Sequence, residues 1–270
     1  MNKIEHRWLE LRHFDELAAQ DSLIHQLHPG VKVVTTLLFI VMVASFSKYE
    51  LVGLFPMFIY PAFLIGLGNI PVAILLKRVL LTLPFVLFIG IFNPFLDQAT
   101  YAYIGSFAVS GGLISFISIL LRFTLSVSAT LLLVATTSMD AIGLALSKLR
   151  VPRIIVIQIL FMYRYIYVLI EEVMKTIRAH SLRAPYRNGV GFKVWGSLVG
   201  LLLLRTLDRA QRIYQAMMCR GFDGQVRIMR SWKIRTGDIA FLVVWTVFFV
   251  LVRLVNIPHW LGRMLLGGFS

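Results

Sequence analysis

Residues 51–76 read LVGLFPMFIYPAFLIGLGNIPVAILL, a run of 26 residues without a single charge. A helix of about 20 apolar residues, rising 1.5 Å per residue, crosses the hydrocarbon core of a bilayer. Pro56, Pro61 and Pro71 would kink or end such a helix, which a bundle tolerates where neighbours satisfy the freed carbonyls. The run therefore points to a membrane, and the composition agrees with it. The chain is 58% hydrophobic and 15% charged, with a mean hydropathy of +0.80. A water-soluble fold of this length could not cover that much apolar surface.

Working outward, four more stretches qualify as spans: Val31 to Phe46, Val79 to about Leu96, about Leu113 to Thr137, and Ile239 to about Ile257. Lys32 and Lys48 flank the first and can snorkel to the two interfaces. The Asn93-Pro94 turn signal closes the third. Arg122 interrupts the fourth, where it either anchors contacts with backbone carbonyls or Ser126, or snorkels outward. Arg253, near the far end of the last span, reads as a snorkelling side chain. No Asp or Glu falls inside these five stretches.

The net charge of +14 could suggest nucleic acid, but among bilayer spans it is read by topology instead. From Ser138 to Gly237 lie 17 of the 27 Lys and Arg residues against five acids, a net +12. Cytoplasmic loops carry that excess, so this insert is expected inside. The loop from Asp97 to Gly112 has no Lys or Arg and reads as outside; Lys77 and Arg78, between spans two and three, read as inside. Five spans from an inside N-terminus then leave the C-terminus outside. The first 30 residues mix acids with bases and lack an apolar core after a basic start, so they do not read as a cleavable signal peptide.

The insert shows no strand alternation and breaks into three helical stretches: Asp140 to Leu149, Arg153 to about Arg183, and about Lys193 to Arg220. The second carries Arg164, Glu171, Lys175 and Arg178 on one face; the third carries Arg205, Asp208, Arg209, Arg212 and Gln215 on one face, with Leu198, Leu201 and Leu202 free for burial. Such helices can lie under a membrane and pack on one another. A rival count turns Ile154 to Ile170 and Trp195 to Leu204 into spans, but the first contains Arg164 and the second is short.

The two long helices end alike. Ala179 precedes Arg183 by four residues and Ala216 precedes Arg220 by four, with Leu182 and Ala184 flanking the first arginine and Cys219 and Gly221 the second. Spacing of four puts each Ala under its Arg, so another protein can approach closely while the guanidinium offers its planar fork. An arginine that merely complements the negative end of a helix dipole is the plainer account of either site alone. The repetition favours a pair of docking points.

The sequence resembles the T component of energy-coupling-factor transporters, of the cobalt-type CbiQ family. The resemblance is carried by Thr136, Thr137, Ser138, Asp140, Ala145, Leu146, Leu149, Val151, Pro152 and Arg153, then by Tyr163, Arg164, Tyr165, Ile166, Leu169, Glu171 and Glu172. Tyr214 to Met217 with Arg220 to Gly224, and His25, Leu27, Pro29 and Lys32, extend it from about Ser22 to about Gly224. Family members end two coupling helices in Ala-Arg-Gly-like motifs that sit in grooves of two ATPase subunits. By position Arg183 and Arg220 match those arginines, while Leu182, Ala184 and Cys219 stand where Ala or Gly is more usual.

The resemblance implies an all-α, polytopic helical membrane protein of about five transmembrane helices. Its parts would be a cytoplasmic N-terminal segment (1–30), spans one to four (31–137), a cytoplasmic coupling domain with two long helices (138–237), and a last span with C-terminal tail (238–270). It implies a non-catalytic subunit that passes ATPase motion to a separate substrate-binding membrane protein, for cobalt or, in related systems, nickel. The implied partners are two CbiO-like ATPases, a CbiM-like substrate-binding subunit with or without a CbiN-like small subunit, and the lipid bilayer; no nucleic acid, cofactor or resident metal is expected. The seat would be a bacterial cell membrane. The residues themselves agree that no phosphate-binding loop is present, since the sequence has no Gly-Lys pair. His25 and His28, three apart, could share a metal, though a capping or interface role beside Pro29 suits them better. A channel or secondary transporter would need inverted repeats or intramembrane acids. A membrane enzyme would need clustered catalytic side chains, and an anionic-lipid surface could coexist with coupling.

Overall fold

The computed structural model describes residues 15–48, 50–93, 100–104, 107–183, 192–224 and 234–254. They form two compact units, one of Phe14–Ser138 together with Trp232–Ser270, the other built on Met139–Ser231. The first unit contains helix α1 (Pro29–Ser45), a 3-10 helix (Val52–Phe58) running into α2 (Ile59–Gly68), α3 (Val72–Gly90), a two-stranded ribbon β1 (Thr100–Ile104) and β2 (Phe107–Ser110), α4 (Gly111–Thr136) and α8 (Thr236–Leu254). The second contains α5 (Met139–Lys148), α6 (Arg153–Arg183) and α7 (Phe192–Cys219).

Four of these helices, α3, α4, α6 and α8, are long and apolar enough to cross a membrane, and α1 and α2 are shorter apolar helices. The protein is a multi-pass helical membrane protein. Its bundle unit packs around Tyr60, 1% exposed, whose ring lies 4.8 Å from Phe39, 4.9 Å from Trp245 and 5.4 Å from Phe249. The phenol oxygen meets the Thr36 hydroxyl at 3.1 Å, as a buried polar atom requires. Leu125, Ala129 and Leu132 of α4 close the same core. α3 leans on α4 through Gly90, where a Cβ would fall 2.7 Å from the Phe116 ring. Most of its other apolar side chains, Leu81 and Phe88 among them, face outward.

The uncharged run of 51–76 does not form one helix. Its chain turns first through the 3-10 segment that holds Pro56, and α2 stops at Asn69, whose φ of 50° is left-handed. Asn tolerates that conformation better than most residues. Pro71 then caps α3, so Val72 to Leu76 belong to the next helix. Lys77 and Arg78 therefore sit in the second turn of α3 rather than in a loop between spans. The expected outer loop holds the antiparallel ribbon, with Ile104 opposite Phe107 and an irregularity between Thr100 and Ala102. Residues 1–14, Pro94 to Leu96, and Val255 to Ile257 lie outside the described residues.

α1 begins on a short collar. His28 caps it, its Nδ1 accepting from the Gly30 amide at 3.0 Å. His25 is engaged at both ring nitrogens, by the Ser22 hydroxyl at 2.7 Å and the Leu17 carbonyl at 2.9 Å. The two histidines thus have structural uses, and neither is turned to a shared metal. Burial, and after it the positive charge of Lys32, holds the His25 imidazole below its ordinary pKa. Between the folded and unfolded values the unfolded chain carries a proton that the folded one does not, so this contribution is present above about pH 6.5 and is lost as pH falls below it. The purified full chain should melt lower at about pH 5.5 than at about pH 7.5, and His25→Gln should remove that part of the slope. Identical slopes in the two proteins would show that His25 does not titrate with unfolding.

Candidate functional site

α6 and α7 are amphipathic, with charged faces that the sequence spacing anticipates: Arg164, Glu171, Lys175 and Arg178 on α6, and Arg205, Asp208, Arg209, Arg212 and Gln215 on α7, are all exposed. Leu198 and Leu202 are half-buried as expected, whereas Leu201 is exposed. α5 packs on α6 at Gly143, where a Cβ would lie 2.6 Å from Leu160, and Val156 and Leu160 are buried there. α6 and α7 meet where Arg205 donates to Glu172 at 3.0 Å.

Beyond that meeting point each helix runs on to its arginine. Arg183 ends α6 eleven residues past Glu172, and Arg220 follows the end of α7 fifteen residues past Arg205. At 1.5 Å per residue these arms are roughly 16 and 22 Å long. Ala179, Leu182 and Arg183 on the first are exposed, as are Ala216, Cys219, Arg220 and Gly221 on the second. Ala184 lies outside the described residues. Leu182 is 77% exposed, an apolar side chain standing in the open beside a guanidinium.

The end of α7 is built to hold its tip in one geometry. The Phe222 amide donates to the Met217 carbonyl and the Gly221 amide to the Met218 carbonyl, both at 3.0 Å. With Gly221 at φ 75° this is a Schellman cap, and Arg220 is its last residue before the left-handed turn. A side chain at Gly221 would meet no atom within 4 Å, yet would be strained in that backbone conformation.

Two polar clusters at opposite ends of α1 went unread in the sequence. At its start, Asp238 is 3% exposed and accepts from the His28 amide at 2.8 Å and from the Arg235 amide at 2.7 Å. Asp238 lies in the first turn of α8, so an acid does stand inside a membrane helix, contrary to expectation. One turn into α1, Lys32 is 4% exposed and does not snorkel; its ammonium donates to the Thr136 carbonyl at the end of α4, at 2.7 Å. Asp238 and Lys32 thus tie the starts of α8 and α1 to the end of α4.

At the other end of α1, Arg253 is also not a free snorkelling charge. Its guanidinium donates to Glu50 and to the Ser45 carbonyl, both at 2.9 Å, and lies over the Phe46 ring at 4.9 Å. Arg122 donates to the Ser47 carbonyl, resolving its role in favour of the backbone and not Ser126. The last carbonyls of a helix have no internal partner; Arg253 supplies a donor to one of them, and Arg122 supplies one to the Ser47 carbonyl two residues beyond the helix end. Donation from the Ser47 amide, then the Arg253 bond and charge, hold the Glu50 carboxyl below the usual carboxylate range.

These contacts fix the senses of the helices. α1 and α8 start together and end together, and α4 runs the opposite way.

Comparison with known sequences settles the family. The profile of CbiQ, described as cobalt transport protein, matches residues 20–232. The chain belongs to the CbiQ family. That family is one of transmembrane transporter components and not of enzymes. The CbiQ-family chain is 28% identical over 256 residues to the energy-coupling factor transporter transmembrane protein EcfT of Ruminiclostridium cellulolyticum, covering 87% of this chain and 94% of the relative. It is 28% identical over 221 residues to EcfT of Bacillus subtilis, covering 75% and 82%. To the cobalt transport protein CbiQ of Salmonella typhimurium it is 29% identical over 108 residues, 40% of this chain and 48% of that one. The match thus includes both arginine tips and the whole of α1 through α7.

Proposed function

We propose that this protein is the non-catalytic coupling subunit of an ATP-driven importer of the energy-coupling-factor type, with two ATPase subunits docking at the tips of α6 and α7. The observation that carries the reading is the pair of exposed Ala-x-x-x-Arg tips, on two helices that meet at Glu172 and Arg205 and each run on to an arginine. Ala179 and Ala216 leave room beside Arg183 and Arg220, and Leu182 adds an uncovered apolar contact. A groove on a partner could take such a tip with a charge-assisted hydrogen bond at its end.

Parity and charge together support the sidedness. The end of α4 and the start of α8 lie at the same end of the bundle, so the segment between them crosses the membrane an even number of times. α6 is apolar enough to cross, but α7, with Arg205, Asp208, Arg209 and Arg212 in its middle, is not among the helices that qualify. Neither crosses, and the segment with a net +12 lies in the cytoplasm. The setting is a bacterial cell membrane, and the cargo is cobalt, as the family description has it. Among the described residues no three His, Cys, Asp or Glu side chains converge on one point, which favours cargo capture by a separate substrate-binding membrane subunit.

The test is whether the full chain retains a co-expressed ATPase and gains nucleotide hydrolysis only with it; hydrolysis by the pure chain would overturn the reading. Sidedness has a built-in probe. Cys219, the one cysteine, is exposed at the tip of α7. An impermeant maleimide should reach it only from the cytoplasmic face, while a Gln98→Cys, Cys219→Ser protein should label only from the outside. Labelling of both positions from one side would defeat the topology.

A further inference from the structure

We propose that the groove where α6 and α7 meet binds the headgroup of an anionic phospholipid; this rests on the reading above only in placing the two helices on the cytoplasmic side of the membrane. The groove is an open cavity of about 480 Å³, walled by Val168 and Leu169 of α6 and by Arg205, Arg209 and Arg212 of α7, with Glu172 at its side. That volume is in the range of small-molecule sites. Glu172 is matched by Arg205, and among the described residues neither Arg209 nor Arg212 forms an ion pair, so the groove keeps two uncommitted guanidinium groups. Spaced four and three residues apart, the three arginines share one side of α7, where planar forks can converge on the oxygens of one phosphate.

The surroundings decide which anion. Ile166 and Leu169 of α6 and Leu201 and Leu204 of α7 are 42%, 38%, 42% and 64% exposed. An acidic peptide would use the cations and leave these side chains in water. A glycerophospholipid uses both, its phosphate on Arg209 and Arg212 and its acyl chains along the leucines. The protein's membrane location supplies that ligand at high local concentration.

The experiment takes the full chain in mixed micelles of equal phosphatidylglycerol and phosphatidylcholine and counts retained lipid by native mass spectrometry. Wild type should retain phosphatidylglycerol with roughly tenfold preference, falling to near unity in Arg209→Gln/Arg212→Gln. Both residues are exposed, so the variant should fold and insert normally. Arg183→Ala/Arg220→Ala should keep the preference, and if the ATPase fails to bind wild type while the preference stands, the coupling reading falls and this one does not. Equal preference in wild type and the Gln variant would overturn the site. So would displacement of the lipid by glycerol phosphate at equal concentration, which marks a site for any free phosphate. Absence of preference together with loss of ATPase from the Gln variant would make the groove a protein contact instead.

Discussion

Arg183→Ala/Arg220→Ala should reach the membrane in normal amount and fold normally, yet lose the proposed ATPase partner and the uptake it would drive. Both residues are exposed helix ends, so truncation opens no cavity, and surface changes of this kind usually cost within about 0.5 kcal/mol of stability. A charge-assisted bond at a docking point contributes more, roughly 1.5 to 3 kcal/mol, which lowers affinity about tenfold or beyond for each tip. Because each arginine ends its own helix, each single variant should still hold one ATPase, and the double variant should lose on the order of a hundredfold in retention. Lysine at either position should rescue poorly, since it keeps the charge and loses the planar fork. Retention and uptake are measured on equal amounts of inserted protein. Wild-type values in the double variant would mean that the arginines only complement their helix dipoles, and the docking assignment would fall.

Asp238→Ala should be the most destabilising single change in the bundle. It strips the acceptor from the His28 and Arg235 amides and leaves the Lys32 ammonium buried without its nearby carboxylate. Orphaning two buried amide donors costs about 1 to 3 kcal/mol each, a large share of the roughly 5 to 15 kcal/mol that holds a folded protein together. The expected result is a much lower melting temperature in detergent and less inserted protein. Lys32→Met/Asp238→Ala should fare better than the two single costs added together, because the unpaired ammonium is gone. Simple additivity in that cycle, or a near-normal melt for Asp238→Ala, would show that the cluster does not hold the three helix ends.

The sequence was most informative where charge interrupts apolar residues at helical spacing. The expected helix from Arg153 to Arg183 is found with those bounds, and those from Asp140 and Lys193 each start one residue earlier, because polar faces and the stops at Pro152 and Gly221 mark their limits. It was least informative inside uncharged runs. Between Leu51 and Leu76 only Asn69 and Pro71 signal the break between α2 and α3, and a bilayer-spanning run tolerates both residue types. The ribbon had a signal that was not used: Tyr101, Tyr103 and Ile104, then Gly105 and Ser106, then Phe107 and Val109 read as a short hairpin. Asp238 had one too, as an acid three residues into a helix that starts after Arg235, where its carboxylate can turn back to the first amide. Lys32 and Arg253 could not have been read in this way. A charge near the end of a span looks the same in sequence whether it reaches water or a carbonyl of a helix a hundred or two hundred residues away. The exposure of the arginine tips followed from periodicity, whereas the Glu172 to Arg205 contact that joins the two helices had no signal in the sequence.

The tie at the start of α1 has a consequence for how this architecture can vary. Thr136 and Asp238 are held to residues one helical turn apart, Lys32 and His28, so everything between them is spliced into the bundle as a single cassette. Among the described residues the bundle's core cluster is drawn from α1, the 3-10 segment, α2, α3, α4 and α8 and the segments beside them. Insertions whose two joints lie close together are the kind that host folds accept readily. If the tips dock ATPases as proposed, a chimera that exchanges residues 139–231 for the equivalent stretch of a relative should keep this bundle and inherit the relative's choice of motor, so that a lineage could rewire its energy supply by recombination at two neighbouring joints.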